Sequence, residues 1–302
     1  MARLAALTSA ESFPDALAAL ALLKPITWFP PMWAFGCGVA CAATARTISW
    51  WQLALGVALV GPLVCGTSQV VNDWYDREVD ALNEPQRPIP SGRVPGYWAL
   101  YIGIGWTLLS AAVATALGGF AFRATLVGLL LAWLYSAPPV RLKKNGWWGN
   151  AAVAACYEGL PWITGAAVAG ASVPKLPVIL IAALYSVGAH GIMTLNDFKS
   201  VAGDRRLGIG SLPVRLGVER AAELACWTMA IGQVGVFLLL LSWRLYAPAA
   251  GVSVLLGLQL LLMRRWLQRP RELAPWYNGT GVTLYVLGML LSAFALRALP
   301  SI

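Results

Sequence analysis

The chain has 302 residues, 59% of them hydrophobic and only 12% charged, with a formal net charge of +9. A water-soluble globular chain carries about 25% charged residues, so a soluble enzyme is excluded, and the basic excess reads as membrane sidedness with no nucleic acid as partner. The five cysteines, Cys37, Cys41, Cys65, Cys156 and Cys226, lie mostly in apolar runs without metal-ligand spacing, which excludes a disulfide scaffold and a zinc site.

Residues 1–24 hold Glu11, Pro14 and Asp15 and form no clean apolar core; they predict a cytoplasmic N-terminal arm and not a cleaved leader. Apolar runs follow at 28–45, 51–71, 97–117, 120–136, 150–169, 176–195, 224–243, 247–263 and 279–296. Each is near the length of about 20 residues that crosses a bilayer as a helix. The expected fold is all-α: one polytopic domain over residues 1–302 in the lipid bilayer, with nine transmembrane helices and the termini on opposite sides.

Charge sets the sides. Most of the 22 Lys and Arg lie in the arm or in the loops after the even-numbered runs, among them Arg3, Lys24, Arg77, Arg141, Lys199, Arg205 and Arg264. The other side keeps Arg46, Arg123, Lys175, Arg244 and Arg297. The positive-inside rule therefore predicts a cytoplasmic N-terminus. All 13 acidic residues except Glu158 fall on that same side. Sidedness needs only Lys and Arg, so the acids require a chemical reason.

The first acidic set closes the second run. Asn72, Asp76 and Asp80 are spaced i, i+4, i+8, and if that helix continues past Val71 they share a face, with Asp73 beside it and Gln69 one turn deeper. Like charges at this spacing repel, so a cation must offset them. Hard oxygen ligands suit magnesium, which keeps several waters and takes one or two carboxylates plus substrate phosphates. Arg77, Arg87 and Arg93 supply donors nearby. A merely solvated loop would account for the charge, but not for a cluster that starts inside a helix end and has a counterpart. Pro85, Pro88 and Pro90 then force a stiff loop.

Pro138 and Pro139 stop the fourth helix, and Arg141, Lys143 and Lys144 follow on the cytoplasmic side. They serve as an orientation signal, and beside so many acids they also read as a diphosphate clamp, with Tyr135 one turn above as a further donor. Glu158 is the one carboxylate inside a run. Such a group must face protein or a water-filled cavity; a functional role stands beside a structural hydrogen bond helped by the break at Gly159 and Pro161. The sixth run ends as the second does: Asn196–Asp197 echoes Asn72–Asp73, and Asp204 returns to the same face if the helix persists. Lys199, Arg205 and Arg206 interleave. His190, the single histidine, lies seven residues before Asp197 and is either a ligand, a hydrogen-bond donor or structural. The two helix ends look like facing halves of one site.

These motifs carry a resemblance. NDxxDxxxD at 72–80, YSxPPxRLK at 135–143 and NDFKxxxGD at 196–204 resemble the intramembrane aromatic prenyltransferase superfamily; CYEGLPW, GAHGIMTLNDFK and PWYNGTGVTLYVLGM narrow this to its bacteriochlorophyll/chlorophyll synthase branch. The resemblance runs from Pro25 to Leu296. It implies nine helices around a central cavity opening toward the cytoplasm, in the inner (cytoplasmic or intracytoplasmic) membrane. It implies magnesium-dependent transfer of a geranylgeranyl or phytyl group from its diphosphate to the propionate carboxylate of bacteriochlorophyllide, and association with other pigment-biosynthesis or photosystem-assembly proteins. Position by position, it makes Asn72, Asp73, Asp76 and Asp80 the first magnesium–diphosphate site and Asn196, Asp197 and Asp204 the second. Asp76, Asp80 and Asp197 are then catalytic, with Glu158 added as the buried acid. Arg77, Arg141, Lys143 and Lys199 become phosphate contacts, joined by Arg87 and Tyr135, and His190 a substrate contact. One position departs from the family pattern: Ala202 stands where Glu is usual. Readings from other classes are a transporter with inverted repeats, which would place its polar site near the bilayer midplane, and a pigment-binding assembly subunit, which would need more histidines.

Overall fold

The computed structural model of the chain describes residues 13–42, 49–206 and 208–299; Arg3, Glu11 and Arg46 lie outside them. Among the described residues the fold is all-α, with one isolated bridge from Asn145 to Gly210 and no strand. The chain divides into two compact units, one of residues 1–32 and 49–141, the other of residues 33–48 and 142–302.

In the first unit, helix α1 (Ala16–Leu22) is capped by Asp15, whose carboxylate accepts from the Leu17 N–H at 3.2 Å. Part of the expected arm is thus a helix whose Ala18 and Leu22 are fully buried against Val70 and Trp74. Helix α2 (Phe29–Ala42) begins in this unit and continues into the other. Helix α3 runs from Trp50 to Asn83. It widens to a π-helix over Leu59–Cys65 around Pro62, then resumes as Gly66–Asn83. Proline has no N–H to give and its ring crowds the carbonyl four residues back; the wider turn accommodates both. The Trp106 indole donates to the Pro62 carbonyl at 3.3 Å, which satisfies that group without water. Helices α4 (Trp98–Thr115) and α5 (Gly119–Ser136) complete the unit. The proline loop folds back so that Ile89 and Val94 join the core of α1 and α3.

In the second unit, helix α6 covers residues 146–170 as three consecutive segments, Gly146–Ala154, the π-helical Ala155–Gly159, and Leu160–Gly170. Helix α7 (Leu176–Asp197) is followed by the short α8 (Val201–Arg206) and α9 (Leu212–Leu216), then α10 (Val218–Ser242), α11 (Tyr246–Trp266) and α12 (Pro270–Leu296). Residues 33–42 of α2 meet α6 through one glycine on each helix, each against the other's backbone. A Cβ on Gly38 would come within 1.9 Å of the Trp162 carbonyl oxygen, and one on Gly165 within 2.1 Å of that of Phe35. Small residues at helix contacts are how backbones approach in a bilayer. Trp162 stacks on Tyr185 at 5.6 Å, and Tyr285 meets Tyr185 edge-on at 5.2 Å.

Among the described residues seven helices are long and apolar enough to cross a membrane: α3, α4, α5, α7, α10, α11 and α12. Leu108, Leu130, Ile231 and Leu261 on them stay exposed, as expected where lipid is the solvent. The expected all-α membrane class fits, and the expected count of nine is not confirmed by length and composition. The run at 28–45 yields only the 14-residue α2, with 43–45 outside the described residues. The run at 150–169 is interrupted by its π segment and by Glu158. Elsewhere helices outrun their apolar runs: α3 continues to Asn83, and α12 starts at Pro270 instead of 279.

Candidate active site

Because α3 continues regularly from Gly66 to Asn83, the i, i+4, i+8 spacing holds, and Asn72, Asp76 and Asp80 project from one face with Asp73 beside it. Each acid meets a cation from another segment. Asp73 takes Lys24 at 2.6 Å and Arg87 at 3.4 Å on the same oxygen, Oδ1. Asp80 takes Arg87 at 2.9 Å, and Asp76 takes Arg141 at 3.0 Å. Arg87 also forks onto Glu84, Nε at 2.6 Å and Nη2 at 2.9 Å. Burial opposes the charge on Arg87, but its bond to Glu84 and the fields of Asp73, Asp80 and Glu84 outweigh this and hold its pKa above the usual arginine value. The Ser136 hydroxyl donates to Asn72 Oδ1 at 3.2 Å, one residue past Tyr135, which is partly buried.

Arg77 turns toward its own helix. It donates to the Trp74 carbonyl at 2.7 Å and lies over the Trp74 ring at 4.1 Å, turned along α3 with Glu78 as its acidic neighbour. A guanidinium on an aromatic face gains from the ring quadrupole, so the indole competes with the acid face for it.

The second set is arranged differently. The helix does not persist from Asp197 to Asp204: α7 ends at Asp197, and a turn at 198–200 leads into α8. The expectation of a shared helical face for these two acids is corrected accordingly. Asp204 instead gathers two hydroxyls on Oδ2, Ser200 at 2.8 Å and Ser211 at 2.7 Å. Asp197 is approached by the Asn150 amide at 3.4 Å. Asn196, Lys199 and Ala202 are exposed. The loop after α8 is tied to the basic turn Leu142–Lys144, with Gly210 N–H donating to the Lys144 carbonyl at 3.0 Å and Gly146 N–H to the Gly210 carbonyl at 2.8 Å. Lys143 sits in that turn, partly buried.

Glu158 lies in the π segment of α6, buried, and its Oε2 has no hydrogen-bond partner. It is joined to neither acidic set by a hydrogen bond among the described residues. His190 Nε2 stands 3.2 Å from the Trp147 carbonyl. A carbonyl only accepts, so Nε2 donates there, while Nδ1 is buried and has no partner among the described residues. The rings of Trp147 and His190 lie 5.8 Å apart.

Among the described residues no cluster of three or more His, Cys, Asp or Glu is disposed to hold a metal by itself. Magnesium does not need one, since it is held by one or two carboxylates with waters and substrate phosphates. The first set fits that demand: among the described residues Asp73 Oδ2 is buried without a hydrogen-bond partner, an acceptor left unfilled. Reading the sequence missed Lys24, Asn150, Ser136, Ser200 and Ser211. For Lys24 the signal was a cation at the end of α1 just before Pro25, which had been spent on sidedness; for Asn150 it was an amide within an apolar run.

The UbiA prenyltransferase family model matches residues 28–296. The chain is 55% identical over 289 residues to the bacteriochlorophyll synthase 33 kDa chain of Cereibacter sphaeroides, covering 96% of each. It is 38% identical to the chloroplastic chlorophyll synthase of Avena sativa, over 91% of this chain and 75% of that one. In fold it is similar to a UbiA homolog from Archaeoglobus fulgidus solved with GPP and Mg2+, at 22% identity and a TM-score of 0.68, covering 93% of this chain and 100% of that one. With helices of membrane-crossing length, acids on regular helix ends and a family match spanning nearly its whole length, the chain belongs to the UbiA prenyltransferase family.

Proposed function

We propose that this multi-pass membrane protein esterifies bacteriochlorophyllide, moving a geranylgeranyl or phytyl group from its diphosphate to the pigment's propionate and releasing diphosphate. The observation that carries the reading is the 55% identity to a bacteriochlorophyll synthase over 96% of both chains. The acceptor needs no general base, because a propionate with a pKa near that of Glu, about 4.3, is already ionised at neutral pH.

The barrier lies in the leaving group, on which negative charge grows as the allylic C–O bond breaks. Magnesium, when bound, supplies charge stabilisation to that diphosphate. In this reading Asn72, Asp73, Asp76 and Asp80 hold one ion, and Asn196, Asp197 and Asp204 a second. Lys24, Arg87 and Arg141 now rest on carboxylates; with the acids engaged elsewhere they exchange a carboxylate partner for a phosphate oxygen, placing positive charge where negative charge develops. Lys143, Lys199 and Tyr135 add phosphate donors, while Arg77, drawn onto Trp74, contributes least. Glu158 and His190 face the pigment or steady the allylic cation, and the surrounding apolar helices keep water from capturing that cation. The N-terminus and the acidic sets lie on the cytoplasmic side, and other pigment-biosynthesis or photosystem-assembly proteins are the partners.

The test is a product assay on purified protein with bacteriochlorophyllide and chlorophyllide, each with geranylgeranyl and phytyl diphosphate, with and without magnesium. Magnesium-dependent esterification of bacteriochlorophyllide is expected. Preference for chlorophyllide moves the assignment to the sister activity, and no diphosphate release from any pair overturns it.

A further inference from the structure

We propose that Asn150 is a positioning residue that aims the carboxylate of Asp197 at a divalent cation; this rests on the reading of Asp197 as a ligand given above. Asn150 stands on α6, buried, and faces the last turns of α7. Its Nδ2 donates to Thr194 Oγ1 at 3.2 Å and to Asp197 Oδ2 at 3.4 Å. Thr194 uses its own hydroxyl proton on the His190 carbonyl at 3.0 Å, so its oxygen has only lone pairs to offer Asn150. A carboxylate likewise only accepts. Both neighbours demand a donor, and the orientation of the amide is dictated by the network, not by the choice of which end is nitrogen.

The geometry explains why a clamp is needed here. Asp197 is the last residue of α7, and Phe198 forms its cap. A side chain at a helix end lacks a following turn to restrain it. Asn150 grips α7 at two points three residues apart: the shorter bond to Thr194 anchors the amide, and the longer contact to Asp197 sets the carboxylate's direction. Among the described residues only Oδ2 is engaged, which leaves the other oxygen for a cation. Partners that orient a metal-binding carboxylate in this way govern metal affinity without touching the metal.

The experiment uses the full-length protein in detergent and titrates Mn2+ by electron paramagnetic resonance in the presence of unreactive geranylgeranyl thiolodiphosphate. Asn150→Ala is compared with wild type and with Asp197→Asn. The expected result is roughly tenfold weaker Mn2+ binding in Asn150→Ala, with the same fold-rise in the magnesium needed for half-maximal rate. The KM for pigment stays at the wild-type value, which a merely structural role would move. If Asn150→Ala lowers the yield of folded protein, Asn150→Ser, whose hydroxyl is too short to reach Asp197, is titrated in its place with the same expected shift. Wild-type Mn2+ affinity in the Asn150 variant beside a lost site in Asp197→Asn overturns the positioning role alone. Wild-type affinity in Asp197→Asn overturns the ligand assignment on which it rests.

Discussion

Arg87→Met asks whether the first acidic set is held together by charge. The substitution keeps most of the stem's volume and removes the guanidinium. Asp80 loses its partner at 2.9 Å, Asp73 keeps Lys24 but loses the contact at 3.4 Å, and Glu84 loses its fork. Stripping one partner from a buried pair costs about 3–5 kcal/mol, whereas an exposed pair is worth about 0.2–1. The Arg87 side chain is 26% exposed and that of Asp80 is 10% exposed, while Glu84 is 46% exposed. The expected loss falls between the limits, about 2–3 kcal/mol, and comes mainly from the stranded Asp80. Chemical unfolding in detergent measures it for Arg87→Met, Asp80→Asn and the double variant. Neutralising Asp80 removes the stranded charge, so the double variant is expected to be more stable than Arg87→Met alone, with a coupling of about 1–2 kcal/mol. An Asp80→Asn cost that is the same in both backgrounds refutes the reasoning: the pair would then be incidental.

Asp76→Asn is expected to abolish turnover while the protein still folds and inserts, because Asp76 is central on the α3 face and meets Arg141; wild-type turnover at low magnesium contradicts this. Glu158→Gln is expected to lower activity per folded molecule at least tenfold, about 1.4 kcal/mol of barrier; loss of folded protein with unchanged specific turnover would mark Glu158 as structural. Ala202→Glu is expected to leave the magnesium requirement unchanged, since Ala202 is exposed on α8, and a marked gain in a magnesium titration refutes that. Asp204→Ala releases Ser200 and Ser211, and at about 1.5–3 kcal/mol per hydrogen bond to a charged group it is expected to lower the unfolding midpoint measurably, which an unchanged midpoint would disprove.

What could be read in advance followed a local period, and what could not was long-range. The face of Asn72, Asp76 and Asp80 survives because the π segment at Leu59–Cys65 lies upstream, so the phase from Gly66 onward is undisturbed. The same reasoning fails between Asp197 and Asp204, where the chain turns at 198–200 and Ser200 captures the later acid. The count of spans is left unconfirmed where a run is apolar but not one long regular helix, as at 150–169. The counter-charges are legible only in part: Arg87 stands near the acids in sequence and meets Asp80, but the other partners are remote for a deeper reason. Carboxylates stacked on one helix face repel, and that helix cannot supply the offsetting cations on the same face without displacing the ligands themselves. The cations must come from elsewhere: Lys24 lies 49 residues before Asp73, and Arg141 lies 65 residues after Asp76. Arg77, the cation nearest in sequence, is drawn onto Trp74 instead. A helical period therefore locates the acids of such a site, and only the packing of other segments against that helix locates its remote bases.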